Sequence, residues 1–527
     1  MTIEFGYTRD PEKVDEIYAI SSVEWNGGLS TQDYCLVERT RFTFLKEKGT
    51  NPILFYLRDT ESGKLVTSTG VFEVKGLFKR APSPNAINTV PDIGLIGVNN
   101  ATFLCVTHVF THPEYRKKGL ALQLIEKAIE YVENELIEKE IANSNDSPDS
   151  FRNNVVTDGH IDRSLANYYL SSKYFWYLYS AVGSYYEKAG FKPYPIDFFK
   201  VPLSLVNDES QTVVEDLIHG TGSHFGKSIK LLSADSRTDQ DLIQFILQSK
   251  EIEMVSELNK LSFHSELQGQ RKSSTSLQSI SSLQMSPLSH QNLLSSIPGT
   301  GLTKLEPKTS HGDEEETNRR RSSVVTTRSA KVAIKPDYNF LSMMHRAEQK
   351  AFSISTNDEV KKYANVQGAI ITNKLQQKSY YILWATLMLR RTYILGMGEV
   401  QYEQLPVGPF GAGGARRRSS FTGINELGAH NLKDLEILLT VACYITKKRQ
   451  RNDGYVYVST TELPFEIPDE VLHDFLTNYM NTNVMKEDKI ERVTSEEIQT
   501  LPMLRKFGSK TSEFDLDWNF VGAYSWD

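Results

Sequence analysis

Cysteine is nearly absent from this chain: three in 527 residues, Cys35, Cys105 and Cys443, set far apart. That scarcity excludes a disulfide framework, and the spacing excludes a thiolate metal site. The histidines His108, His112 and His160 have no zinc-like spacing either. No run approaches the ~20 apolar residues that span a bilayer. The N-terminal segment MTIEFGYTRDPEKVDEI lacks an apolar signal core and an arginine-rich transit helix. Charge is not strongly one-sided. The net −7 gives no broad electrostatic reason to bind nucleic acid or a membrane surface. These absences predict a reducing, cytoplasmic location with nuclear access left open, and no metal, nucleic-acid or membrane partner. Cys105, inside an apolar run, is expected to be a small buried residue.

What is present is a chain too long for one core, with 39% hydrophobic residues, which suggests two or three domains. Ile3–Tyr7 reads as a first strand, and Pro11–Ser22 and Thr31–Lys48 as helices by apolar periodicity. Ile53–Arg58 and Leu65–Val74 read as a strand pair turning through Asp59-Thr60-Glu61-Ser62-Gly63. Residues 77–97 read as loop. Thr102–Thr111 is the next strand and Leu120–Ile137 the helix after it.

Between these two lies the most informative stretch. The apolar strand runs into His112-Pro113-Glu114-Tyr115, then Arg116-Lys117-Lys118-Gly119-Leu120-Ala121, then the helix. A basic, Gly-containing turn at a helix N-terminus suits an anion. Unpaired backbone N–H groups point outward there, and the helix dipole favours negative charge. Gly119 permits a backbone conformation and a close approach that a Cβ hinders. The turn fits poorly to a Walker loop or to a three-glycine dinucleotide fingerprint. Its bland reading is an ordinary solvated β–α connection.

A second element tips that balance. Tyr174–Tyr179 is an aromatic strand, followed by Ser180-Ala181-Val182-Gly183-Ser184-Tyr185-Tyr186-Glu187-Lys188-Ala189-Gly190-Phe191. The Arg-x-x-Gly-x-Ala turn after a strand resembles the acetyl-CoA loop of the GCN5-related N-acetyltransferases (GNAT). The Tyr-Tyr-Glu-Lys-x-Gly-Phe tail is similar to the helix after the next strand of that family. The resemblance covers roughly residues 1–200. It implies an α/β (α+β) fold with a mixed central sheet flanked by helices, and an enzyme using acetyl-CoA as cosubstrate without a metal.

In that family two parallel strands splay apart and pantetheine slots between them. The resemblance therefore implies that Val109 and Thr111 offer backbone contacts to pantetheine. It implies a pyrophosphate cradle from Arg116, Lys117, Lys118, Gly119, Leu120 and Ala121, and Tyr186 as general acid for the departing thiolate. The base that deprotonates the amine has two candidates, Glu73 on the Leu65–Val74 strand and His108 on the acetyl-CoA strand, with solvent as a third route. Simple alternation sets His108 on the face opposite Val109, and a satisfied core histidine is an equal reading.

The expected domains are 1–204, with a surface insertion at about 138–172; a connecting helical region, 205–263; a Ser/Thr-rich disordered insertion, 264–332; and an α+β domain, 333–527, with a mobile loop at 401–428. Phe191–Leu203 is expected to close the first sheet. In the last domain, Asp337–Phe352 and Lys433–Lys448 read as helices. Val366–Thr372, Ser379–Met397, Gly454–Thr460 and Asp517–Tyr524 read as strands. The domain is expected to be an unrelated α+β unit or a degenerate second copy of the first fold, without a second CoA turn. Arg319-Arg320-Arg321-Ser322-Ser323 and Arg416-Arg417-Arg418-Ser419-Ser420 resemble basophilic kinase sites, the alternative being a solvated basic cluster.

The segment Leu178–Gly190 and the ending DWNFVGAYSWD resemble fungal lysine N6-acetyltransferases of lysine catabolism. That resemblance implies transfer to the ε-amine of free L-lysine. The C-terminal domain would close over the acceptor, and Tyr18–Trp25 would line the other side. Two other readings stand beside it: a protein or peptide lysine acetyltransferase, and a non-catalytic CoA-binding interaction protein.

Overall fold

The computed structural model describes residues 2–81, 97–144, 150–221, 226–273, 329–354, 357–387, 391–400, 428–449, 452–462, 467, 469–482 and 488–521. The N-terminal strands are β1 (Ile3–Thr8), β2 (Ile53–Asp59), β3 (Leu65–Lys79), β4 (Asn99–Thr111), the short β5 (Val156–Thr157) and β6 (His160–Ile161), β7 (Tyr174–Ser180), β8 (Lys192–Pro193) and β9 (Asp197–Pro202). Then come β10 (Lys227–Ser233), β11 (Ala330–Ile334), β12 (Val366–Asn373), β13 (Lys378–Leu387), β14 (Arg391–Val400), β15 (Tyr455–Ser459), β16 (Glu491–Thr494), β17 (Leu501–Lys506) and β18 (Leu516–Trp518).

They build two large sheets. The first runs β1-β2-β3-β4-β7-β17-β8, with β11 and β18 attached beyond β3; the second runs β10-β12-β13-β14-β15-β9-β16. Each path has one parallel pair, β4–β7 and β14–β15, and is otherwise antiparallel. The second path therefore repeats the first strand for strand. Each parallel pair is bridged by a long helix, Leu120–Asn143 in the first half and Gly428–Arg449 in the second, as a crossover between parallel strands requires. The mixed α/β fold is thus doubled, and the second unit is a copy of the first topology.

The two sheets exchange one strand each. β9, expected to close the first sheet, lies instead between β15 and β16. Its place beside β7 is taken by β17, about 300 residues later in sequence, in register Leu501↔Ser180 to Lys506↔Phe175. A boundary at residue 204 consequently does not separate two self-contained sheets.

Period-two alternation sets the layers. Phe103, Cys105, Phe175 and Tyr177 face a core shared with Phe198, Leu383, Tyr393 and Tyr457 of the second sheet. Leu104, Val106, Trp176 and Leu178 face the opposite way, onto Leu124, Ile125, Ala128 and Val132 of the Leu120–Asn143 helix. Leu435, Leu438, Ala442 and Ile445 of the Gly428–Arg449 helix cover the outer face of the second sheet. Each large side chain so buried contributes about 1.5–3 kcal/mol.

Several expectations shift. The 138–172 insertion is folded where described, with helices Phe151–Val155 and Arg163–Leu170 and the β5–β6 hairpin. Ser150 and Asp162 cap those helices. The single strand expected over 379–397 is two, β13 and β14, paired antiparallel. Among the described residues the terminal strand is Leu516–Trp518, and residues 522–524 of the expected strand lie outside them. The 205–263 region contributes β10, an edge of the second sheet, besides its helices. Of the 264–332 segment, residues 264–273 are not disordered but continue the helix Arg237–Ser273, Ala330–Val332 belong to β11, and residues 274–328 lie outside the described residues. The 401–428 loop, apart from Gly428, and Ser322, Ser323, Ser419 and Ser420 also lie outside them.

Candidate active site

β4 and β7 pair only over Thr102–Cys105 and Tyr174–Tyr177. Beyond that point β4 continues to Thr111 and β7 to Ser180 without a shared ladder. The gap is a V between two parallel strands. Val109 and Thr111 lie on that divergent arm.

Past the V, β4 leads through Pro113–Tyr115 into the turn. Lys117 (φ 63°) and Gly119 (φ 74°) both take left-handed conformations. At Gly119 this φ strains any residue with a Cβ, although the space around it is open. The Leu120–Asn143 helix starts with no side-chain cap, so its first N–H groups have no intrahelical partner and no capping side chain. Lys117, Lys118 and Gly119 are exposed, with Lys118 Nζ 5.0 Å from the Tyr115 ring. Arg116 is engaged elsewhere. Its Nε donates to Thr111 O at 3.0 Å, its guanidinium pairs with Glu24, and it lies 5.6 Å from the Phe110 ring. It braces the turn against the strand and the first helix.

The open end of the V meets a cavity of about 160 Å³. β4 and β7 supply one wall, Trp25, Tyr34, Glu38 and Arg41 of the first two helices another, and Tyr186 a third. Met344, Ala347 and Glu348, from the Tyr338–Ser353 helix of the second half, complete it with Thr386 of β13. Both halves therefore build this cavity.

His108 is among its lining residues. Ser68 pairs with Phe110 and Gly70 with Thr107, so His108 and Val109 together oppose the single residue Thr69. This is a β-bulge, and His108 has φ 51°. The bulge corrects the alternation expected from sequence, because His108 and Val109 both line the cavity. His108 Nε2 is 3.0 Å from Glu38 Oε2, and Nδ1 is 2.9 Å from Thr107 Oγ1. Tyr18 and Trp25 approach the imidazole edge-on at 5.3 and 6.1 Å. Glu38 is buried, which by itself raises its pKa. His108 and Arg41, the latter 3.3 Å away, outweigh that and hold it at about 2. Glu38 is thus a buried carboxylate fixed behind an imidazole.

Sequence reasoning missed Glu38. The available signal was a charge within the buried stripe Tyr34, Cys35, Val37, Phe42 and Leu45 of its helix. Glu73, the other base candidate, is not brought to the cavity. Alternation along β3 turns it to the opposite face, beside Asn51, Glu135 and Lys139. Burial raises its pKa there.

Tyr186 is buried and lines the cavity from a 3₁₀ segment, Gly183–Ala189, that ends at Gly190 with φ 81°. Burial, with Tyr185 adding to it, pushes the phenol well above its usual value, so it is protonated at neutral pH. Tyr185 is half-buried and stacks edge-on against Tyr186 at 5.2 Å. Cys105 is fully buried, and burial raises its thiol to about 12. Among the described residues no group of three or more His, Cys, Asp or Glu is placed to hold a metal. No helix among them is long and apolar enough to cross a membrane.

Comparison with known proteins bears on the same stretch. Residues 90–149 match the acetyltransferase (GNAT) family model. No curated protein sequence matches the chain. Among solved structures, the chain is similar to a probable N-acyltransferase from Enterococcus faecalis V583 (8% identity, 96% of this chain, 73% of that one, TM-score 0.37). It is similar to a GCN5-related N-acetyltransferase from Kribbella flavida (8%, 96% and 72%, TM-score 0.34). It is also similar to a tandem GNAT protein from the clavulanic acid biosynthesis pathway (10%, 96% and 99%, TM-score 0.38). The family match falls on β4, the turn and the helix behind it, so this stretch of the chain is similar to the GNAT acetyltransferases.

Proposed function

We propose that the protein transfers acetyl from acetyl-CoA to the ε-amine of free L-lysine, in the V between β4 and β7. The observation that carries the reading is the cavity at the end of that V. It holds two carboxylates, Glu38 and Glu348, a guanidinium, Arg41, and aromatic walls. A zwitterion with a second amine complements that set. Enclosure by both halves favours a small acceptor over the open groove a polypeptide needs.

In this reading the N–H groups of Lys117–Ala121 receive the pyrophosphate, and the backbone of Val109 and Thr111 receives pantetheine. The lysine ammonium gives its proton through the Thr107 hydroxyl to His108 Nδ1, and Glu38 stabilises the imidazolium that forms. The free amine attacks the thioester carbonyl, a C–N bond forms, the C–S bond breaks, and the nitrogen's surplus proton passes to solvent. Tyr186 hydrogen-bonds the departing sulfur and hands over its proton, regaining one from solvent. Its raised pKa makes it a modest acid, so its contribution is smaller than that of the His108 dyad. Phosphorylation at Ser322, Ser323, Ser419 or Ser420 and a cytoplasmic location remain part of the same proposal, supported by the sequence pattern alone.

CoA thiol release in the presence of acetyl-CoA and free lysine tests it. Lysine-dependent release, with N6-acetyl-lysine as product, is the expected result. Release only with a basic peptide favours the protein acetyltransferase reading, and CoA binding without turnover on any amine favours the non-catalytic one.

A further inference from the structure

We propose that Glu348, on the second half of the chain, is the specificity-determining residue that receives the acceptor's non-reacting ammonium. It would restrict the enzyme to acceptors carrying a second cationic group. The inference rests on the reading of the cavity as the acceptor site.

The donor-side wall of the cavity belongs to the first half: the bulge on β4, the end of β7, and Tyr186. Glu348 enters from another side, on the Tyr338–Ser353 helix, where Met344, Ala347 and Glu348 follow at helical spacing and share one face. That helix is fixed against the first half. The Phe340 and Phe72 rings stack at 6.0 Å, and Arg41 Nε lies 3.0 Å from Met343 Sδ.

Glu348 is 3% exposed. It accepts a hydrogen bond from the Thr386 backbone N–H. The nearest cation, Arg449, lies 3.6 Å away, beyond hydrogen-bond distance. Arg449 forms a long ion pair with Glu348 while donating hydrogen bonds to Tyr363 O at 3.2 Å, to Val366 O, and to Thr386 Oγ1 at 3.1 Å. Glu348 is thus a buried carboxylate with incomplete compensation, and burial outweighs Arg449 to raise its pKa to about 7. Such a group costs stability unless a cation is supplied. A ligand ammonium entering the cavity supplies one. Glu38, by contrast, is already matched by His108 and Arg41.

The test measures binding of three probes to the CoA-saturated protein by calorimetry. L-Lysine and cadaverine (1,5-diaminopentane) carry a second amine; 6-aminohexanoate does not. The wild type should bind lysine and cadaverine at least about tenfold more tightly than 6-aminohexanoate, the scale of a charged hydrogen bond. Glu348→Gln, which keeps an acceptor for Thr386 N–H, should erase that difference and leave CoA affinity unchanged. Two results would overturn the proposal: a wild type with no preference among the probes, or a variant that loses affinity for all three equally. The wild-type comparison decides the matter even if the variant does not fold. Turnover stays a separate readout. Preference without thiol release refutes the proposed activity and leaves the role of Glu348 standing.

Discussion

The two sheets share one strand order and one pattern of polarity, yet differ at the single strand where chemistry is expected. In the first sheet the bulge on β4 sets His108 at positive φ beside Glu38. In the second, the register between β13 and β14 slips at Leu383/Trp384, with Ile394 and Gly396 as partners, so the bulged residue is Leu395. Leu395 is fully buried in the core between the sheets. A bulge on the corresponding strand presents a paired imidazole in one half and a packing side chain in the other. The topology is doubled, and the His108–Glu38 pair is found in the first copy. The second copy is recruited as a wall, through Met344, Ala347, Glu348 and Thr386.

The largest way to break this comparison is to separate the halves. A chain ending at residue 204 loses β17 from beside β7 and leaves β9 with no sheet to join. It should fail to give a cooperative thermal transition by circular dichroism. A well-folded fragment would mean that β9 can close the first sheet itself.

Next in size is the dyad. His108→Ala should lower kcat about 100-fold or more, the scale of general acid–base catalysis, with acetyl-CoA affinity little changed. Leu395→Ala at the matching bulge should instead cost about 2–5 kcal/mol of stability and leave kcat per folded molecule intact. Equal kinetic effects from the two would erase the proposed division of labour.

A smaller effect is expected at Tyr186. Tyr186→Phe should reduce kcat by about tenfold without weakening CoA binding, because the phenol assists only departure of the sulfur. Unchanged turnover would remove that role.

The smallest effect separates the two carboxylates of the cavity by pH. The Glu38 pKa is depressed to about 2, so its stabilisation is complete above its unfolded value, near 4.5, and is lost as pH falls from there toward 2. The Glu348 pKa is raised to about 7, so its contribution is fully present below its unfolded value and is lost as pH rises through 7. Urea midpoints against pH should therefore steepen oppositely. Glu38→Gln should flatten the acid limb and Glu348→Gln the neutral one.

Much of the first half was legible in sequence. Apolar periodicity predicted strand, two helices, three strands and a helix in their observed order, and the turn at Arg116–Ala121 stood out against that background. What was not legible shares a physical cause: it depends on partners distant in the chain. No local pattern announces that Leu501–Lys506 pairs with Phe175–Ser180, or that Phe198 faces Tyr393 rather than a first-sheet neighbour. The bulge reversed the face expected for His108, since period-two reasoning assumes an unbroken ladder. Glu73 looked like a base because its strand was right; its face was wrong. Glu38 and Glu348 lie on helices far apart in sequence, and tertiary packing encloses both.

The central claim is that one half holds the donor and both halves hold the acceptor. Calorimetric titration with acetyl-CoA tests it most directly. The account predicts one acetyl-CoA bound per chain, lost when Gly119→Glu places a carboxylate and a strained Cβ in the turn at φ 74°. Two bound per chain, or one that survives Gly119→Glu, would contradict it.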